Sequence, residues 1–403
     1  MYIIFLIEIF LLGLLAPFPI FKPIESINFA YFDLCFLITL VSFQLLKTSY
    51  PKMSKYYWYL AGIFIFGSTI STFSSINIDF SILHYFQYLY IFLLVIPFMS
   101  IFLSNKLQFK VFLAGTGLCS LYLLGNSYYY FLNGLGKFVG GSRFTSFFDS
   151  PSGFTWSLLY LFPFLIISPY LIFQKKIKLN KILRGILLLF FSILLILTQS
   201  RSGLIACVTG SLIYLWTKNK YIKSKMDSLR RGYFLNSIVV ILLIFGCFVF
   251  VKLAFGDYLD IYLLRASNSL SEYSDGRFSD FNSITGNMNL KDFILGIGFK
   301  NSEFLSERAI RFHNAFVLFF LEGGLLTGIS IVLMMYYYFS QGIKSLILSK
   351  KNFDQYSLLL GIISIFIFSV IMMLNTQSIH RMYWIGFAIV EAYSKRISSD
   401  IRS

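Results

Sequence analysis

Residues 82–103 read ILHYFQYLYIFLLVIPFMSIFL, twenty-two positions without one Asp, Glu, Lys or Arg. A helix rises 1.5 Å per residue, so about 20 apolar residues cross the roughly 30 Å hydrocarbon core of a bilayer. The stretch therefore reads as a membrane-spanning helix. Eleven more apolar runs lie at roughly 3–21, 29–46, 56–76, 110–131, 152–173, 182–199, 202–217, 234–255, 314–339, 355–374 and 380–394. Of the 403 residues, 57% are hydrophobic and 13% charged. A soluble domain averages about 45–50% and 25%. This balance excludes a soluble enzyme with one core, a disordered chain and a disulfide-stapled secreted domain. The expected fold class is all-α, a polytopic integral membrane bundle of about 12 transmembrane helices with one large folded outer loop. Residues 1–255 would supply helices one to nine, 256–313 the large outer loop with short helices, and 314–403 helices ten to twelve with a tail.

Two details refine the layout. The first run, from Tyr2, has no basic leader and no small-residue cleavage site, so it is expected to be retained as a helix. Only Ser200-Arg201-Ser202-Gly203 separates the runs at 182–199 and 202–217. Together they are too long for a single crossing and are expected to form two short helices.

The formal net charge is +16, from 34 Lys and Arg against 18 Asp and Glu. In a soluble protein that excess would suggest nucleic acid. Here it is unevenly placed. Alternate loops, beginning with Lys47, Lys52 and Lys55 and ending with Lys395, Arg396 and Arg402, carry 22 of the 34 cations. Asp227, Asp354 and Asp400 accompany them, with Glu391 at the edge. Cytoplasmic loops are enriched in Lys and Arg, so this set is expected to face the cytoplasm, with both termini. The excess is a topology signal, and no nucleic-acid partner is expected. Cys35, Cys119, Cys207 and Cys247 all fall within spans, form no CxxC pair and read as small packing residues. The aromatic residues, 20% of the chain, are expected mostly on lipid-facing and interfacial surface.

Two outer loops are long. One, at 132–151, is rich in Gly and Ser; the other runs fifty-seven residues from Gly256 to Phe312. Loops of that length are generally functional or disordered. This one has apolar residues at helical spacing in YLDIYLLRASNSL (258–270) and SEFLSERAIRF (302–312), and nearly balanced charge. A small cap of short helices is expected, some lying flat on the membrane with apolar faces buried.

Polar residues at membrane depth are expensive and default to functional hypotheses. Arg201, in LTQSRSGLIA (197–206), lies between two apolar runs beside Ser200 and Ser202. A guanidinium there could grip a phosphate with a bidentate fork, or snorkel to the interface. His84, His313 and His380 all fall on the outer side; His380 is followed by Arg381. Histidine is suited to proton transfer near neutral pH. His313 is set apart by its company. Asn314 adjoins it, Glu322 and Gly323-Gly324 follow two to three turns on, and Gly296-Ile297-Gly298 precedes it. Glu8, early in the first run, has no evident role.

These segments carry a resemblance. FILGIGFKNSEF (293–304) followed by HNAFVLFFLEGGLLTG (313–328) resembles the signature of the O-antigen ligase and polymerase superfamily. There a "GiG" stretch ends the large outer loop and a His-Asn pair opens the next helix. LTQSRSGLIA is similar to the family's "S-R-s-g" segment, and DGRFSDFNSI (275–284) to the part of its large loop that carries an Arg. SRFTSFFDSPSGFTWSLLYLFP (142–163) resembles a third segment, with Ser146 where Gly is usual and Ser150-Pro151-Ser152 in place of a Pro-Asn step.

The resemblance implies an all-α bundle related to C-type glycosyltransferases, in the bacterial plasma membrane, with its active site on the periplasmic or extracellular face. Its donor would be an oligosaccharide on undecaprenyl pyrophosphate, and its acceptor a saccharide hydroxyl. A chain-length regulator protein is a further partner that the resemblance suggests. It marks Arg201 and Arg277 for the leaving pyrophosphate, with Arg143 and Arg265 as further candidates. His313 would be the general base or acceptor-positioning group. Asn314, Glu322, Ser200, Gly296, Gly298, His380 and Arg381 would support the site. No metal and no other cofactor is called for where arginines neutralise the pyrophosphate. The leading expectation is a polymerase of O-antigen or capsule repeat units. The alternatives are a ligase moving polysaccharide to lipid A-core or another acceptor, and a lipid-linked saccharide flippase or transporter.

Overall fold

The computed structural model describes residues 1–16, 30–46, 53–136, 138–139, 143–146, 154–155, 157–158, 186–187, 189–195, 197–198, 281–305, 314–348, 370 and 381–402. They are overwhelmingly helical. In chain order the helices are α1 (Tyr2–Leu15), α2 (Tyr31–Leu45), α3 (Lys55–Phe73), α4 (Ile78–Tyr90), α5 (Ile96–Ser104), α6 (Lys106–Leu132), α7 (Leu290–Leu295), α8 (Ser302–Leu305), α9 (Ala315–Leu321), α10 (Gly324–Leu348) and α11 (Arg381–Arg402). A two-residue antiparallel pairing, Phe138–Val139 with Arg143–Phe144, lies in the Gly/Ser-rich loop after α6.

The sequence marks several helix starts with a side-chain oxygen for the first unpaired amides. Ser54 accepts from Tyr56 N, Asn77 from Asp79 N, and Asn105 from Leu107 N. Asn289 and Asp292 cap α7 reciprocally, at 2.9 and 3.1 Å.

Among the described residues, two helical stretches are long and apolar enough to cross a membrane: Ile78–Ser104 and Lys106–Leu132. The first is the opening stretch, and it is not a uniform α-helix. A π turn spans Ile91–Val95, where Ile96 N donates to Ile91 O. In that register the next donor would be the amide of residue 97, and Pro97 has none. The Phe92 carbonyl is instead met by the Tyr57 hydroxyl from α3.

A second departure matters more for the site. The run 314–339, expected as one helix, is broken into α9 and α10 at Glu322-Gly323-Gly324, with Gly324 at φ +80. Only Gly takes such a φ without steric cost. Beyond the break α10 continues to Leu348, and α11 also runs past the expected end of its span. The expected spans at 202–217 and 234–255 lie outside the described residues, as does all of 355–374 except residue 370.

Packing is tight where small residues meet. α1 crosses α6 at Gly13 and Gly115: a Cβ on either would overlap the other helix's backbone, at Phe112 O and Phe10 O. α3 packs along α10, and α11 along α5 and α10. Phe64, Phe92, Phe319 and Trp384 bring α3, the π turn, α9 and α11 onto one ring cluster. Phe5, Phe43 and Phe102 do the same for α1, α2 and α5. Among the described residues, many aromatic side chains are wholly buried and join the helices by ring contacts, a use beyond the lipid-facing and interfacial one expected.

Candidate functional site

The break at Glu322 leaves carbonyls without helical partners. They are taken by the loop that follows α7. Ile297 N donates to Leu321 O (3.2 Å) and Gly298 N to Glu322 O (2.9 Å). Gly296 and Gly298 have φ of +88 and +90, which lets the strand between them lie against the break. The C-terminal end of α3 closes the third side. Ser71 Oγ donates to Glu322 O and accepts from Gly298 N at 3.1 Å. Ser74 Oγ donates to Gly296 O, and Ile76 N donates to Ile297 O.

Asn301 and Ser302 finish the knot. Asn301 Nδ2 lies within 3.2 Å of three acceptors, Asn77 O, Ser81 Oγ and Ile297 O. Ser81 Oγ donates onward to Phe299 O. Ser302 Oγ donates to Glu322 Oε1 at 2.6 Å. Asn301, Ser302 and Glu322 are all at 0% exposure. The Phe299 ring lies tilted against Tyr88, with centroids 4.7 Å apart, which ties the loop to the aromatic core.

Three residues that the sequence singled out, Gly296, Gly298 and Glu322, are thus brought into one hydrogen-bonded unit. The Glu322 carboxyl is buried and engaged by Ser302 at the break. Asn314 Oδ1 accepts from Phe316 N (3.0 Å) and Val317 N (3.2 Å), so it caps α9. That helix of seven residues, about 10 Å long, carries the position next to His313 down to the knot.

The remaining expected site residues are not brought together by the described part of the chain. His313, Arg201, Arg277, Arg265, Ser200 and His380 lie outside the described residues. Arg143 is placed by its backbone in the two-residue pairing, opposite Val139, and Arg381 opens α11. His84 is buried in α4, with Nδ1 3.1 Å from its own helix's Phe80 carbonyl. Ser146, which stands where the related pattern has Gly, has φ +55 and a buried hydroxyl with no hydrogen-bond partner.

Sequence reasoning missed Ser71, Asn301 and Ser302. A signal existed for the first. Ser68, Ser71 and Thr72 recur at helical spacing along the otherwise mostly apolar α3. Two buried acids gain a structural account. At 2% exposure, Glu391 accepts from Ser54 N (3.0 Å), capping α3 from α11. Glu8 accepts from Ser42 Oγ at 2.7 Å, joining α1 to α2. Among the described residues, no group of three or more His, Cys, Asp or Glu is placed to hold a metal ion.

In comparisons with known proteins, no family model matches the chain and no curated protein matches it.

Proposed function

We propose that this chain is a polytopic membrane glycosyltransferase that joins oligosaccharide units carried on a lipid pyrophosphate at the outer face of the bacterial plasma membrane. The observation that carries the reading is the interlocking of its two most distinctive segments. Gly296-Ile297-Gly298 and the Glu322-Gly323-Gly324 break pair backbone to backbone. They do so against Ser71 to Ser81, the end of α3 and start of α4 that the charge pattern assigns to the outside. Beside this fixed frame stands the helix that Asn314 caps, directly after His313 in the sequence. The left-handed backbone at Ser146 adds support, since the pattern that segment resembles has Gly there.

In the proposed reaction an acceptor hydroxyl attacks the anomeric carbon of the donor. The bond from that carbon to the pyrophosphate oxygen breaks, and the lipid pyrophosphate leaves with the electron pair. His313 takes the hydroxyl proton; Arg201 and Arg277, with Arg143 and Arg265, stabilise the leaving anion. The about twelve-span layout, with both termini inside, belongs to the same proposal.

The test is reconstitution of the purified protein with a repeat unit on its polyprenyl pyrophosphate carrier and no other acceptor. Products longer than one unit are expected. Glycosylation only when lipid A-core is added would replace the polymerase reading with the ligase one. Transbilayer movement of the donor without any glycosidic product would replace both with a transporter.

A further inference from the structure

α7 is a six-residue helix, LKDFIL, that buries none of its side chains. Leu290, Phe293 and Ile294 fall at i, i+3 and i+4, so they share one face, while Lys291 and Asp292 lie off it. All three apolar residues are exposed, Leu290 by 75%. The helix ends at Gly296, whose carbonyl accepts from Ser74 at the last turn of α3. It therefore sits level with Phe73, which is itself 75% exposed.

The other end of α3 fixes what that level is. Tyr56 and Tyr59 are exposed near its start, as is Tyr336, whose neighbour Tyr337 has its ring against Tyr56. Tyrosines collect at the headgroup level of a bilayer. From Tyr56 to Phe73 the helix rises about 25 Å, close to the roughly 30 Å of the hydrocarbon core. The exposed surface between, such as Ile63 and Phe66, is apolar. The apolar face of α7 is thus one bilayer thickness from the tyrosine ring and continuous with the lipid-facing side of α3. Beside it, Phe80 packs tilted against Phe304 at 5.8 Å and carries Lys300 Nζ 5.2 Å from its ring centre. That places an ammonium beside an apolar rim, as a headgroup phosphate requires.

We infer that α7 is an interfacial anchor: its Leu290–Phe293–Ile294 face inserts into the outer leaflet and sets the height of the Gly296–Gly298 knot at the level of lipid phosphates. The inference rests on the membrane reading of the preceding subsection. The occupant is the acyl region of bilayer phospholipid, and the consequence is that a lipid-borne pyrophosphate meets the site without leaving the membrane.

Site-directed spin labelling of the full chain in phosphatidylethanolamine–phosphatidylglycerol vesicles tests it. Single variants Leu290→Cys, Phe293→Cys, Lys291→Cys and Asp292→Cys, on a chain whose native cysteines are replaced by Ala, are labelled. Their collision rates with oxygen, which partitions into lipid, and with a water-soluble nickel chelate are then compared. Positions 290 and 293 are expected to show an oxygen-to-nickel ratio several-fold above that of 291 and 292. Equal ratios at all four overturn the anchor, as does shielding of 290 and 293 from both reagents, which means that protein covers the face. Phe66→Cys is the reference: if it too reports water, the membrane reading itself fails, separately from the anchor. On the unaltered chain, a phospholipid bearing a shallow photoactivatable diazirine is expected to label the peptide containing 290–295. Absence of label there, with label present on α3, counts against the anchor.

Discussion

Replacing Gly298 by Ala perturbs the knot at its tightest point. The backbone there has φ +90, so any side chain incurs the left-handed penalty, about 1–2 kcal/mol. The added methyl also has nowhere to go. It would collide with Ser75 Cβ, Ser81 Oγ and Asn301 Nδ2, and Ser81 and Asn301 are bound to each other and to the loop. Overpacking of this sort costs about 1–3 kcal/mol. Together the substitution should destabilise the fold by about 2–5 kcal/mol. In a chain of this length each kcal/mol moves the thermal midpoint by only about 1 °C, so a fall of about 2–6 °C is expected. The chain supplies its own probe, because Cys35 and Cys119 are free and buried and become reactive to a fluorogenic maleimide on unfolding. Gly62→Ala is the control. Its Cβ would meet nothing within 4 Å, and Ala is the better helix former, so its midpoint should hold or rise slightly. If Gly298→Ala melts with Gly62→Ala, the loop is not wedged between α3, α4 and the break, and the account of the site is wrong.

Other outcomes follow from the same contacts. Tyr57→Phe should cost about 1–3 kcal/mol by stripping the Phe92 carbonyl of its donor, and much less when Pro97→Ala restores an amide there. A double-mutant cycle on thermal midpoints with zero coupling would refute the pairing of the π turn with Tyr57. Ser302→Ala should lower stability by about 1–3 kcal/mol, since the buried Glu322 carboxyl loses a donor at 2.6 Å, and Ser302→Thr should recover most of it. Ser146→Gly is expected to stabilise by about 1 kcal/mol, relieving φ +55 and removing an unpaired buried hydroxyl; an unchanged midpoint would argue against strain there. In the reconstituted transfer assay, Arg201→Lys should lose most activity while the chain stays folded, because the charge remains and the planar fork does not. Near-normal turnover would take Arg201 out of pyrophosphate binding.

Helix identity was legible because it depends on local composition: 82–103 and 110–131 announce themselves by apolar length, and the helices found are Ile78–Ser104 and Lys106–Leu132. Where helices break was not, because a break is decided by what waits outside it. Glu322-Gly323-Gly324 sits in an apolar run that hydropathy reads as continuous. It opens because Ile297 and Gly298, some twenty-five residues earlier, offer amides to the carbonyls that the break exposes. The π turn has the same logic. Pro97 alone predicts a disturbed helix, but which carbonyl is orphaned, and that Tyr57 takes it, depends on the packing of α3 against α4.

The residues that the resemblance marks make structural contacts that the motif itself does not contain. Read as a motif, Gly296, Gly298, Asn314 and Glu322 looked like companions of a catalytic histidine. Their observed work is structural: two glycines that admit a backbone approach, an N-cap, and a buried carboxyl held by Ser302. Through these contacts they fix where the start of α9 stands relative to α3 and α4. A 1 Å displacement of a reacting group can cost about a hundredfold in rate. Selection on activity would therefore fall on the knot as heavily as on the groups that meet the sugar. It follows that Gly298→Ala and Ser302→Ala should depress transfer at temperatures well below their melting points. If either keeps full activity there, the knot supports the fold alone, and the height of His313 is set by something else.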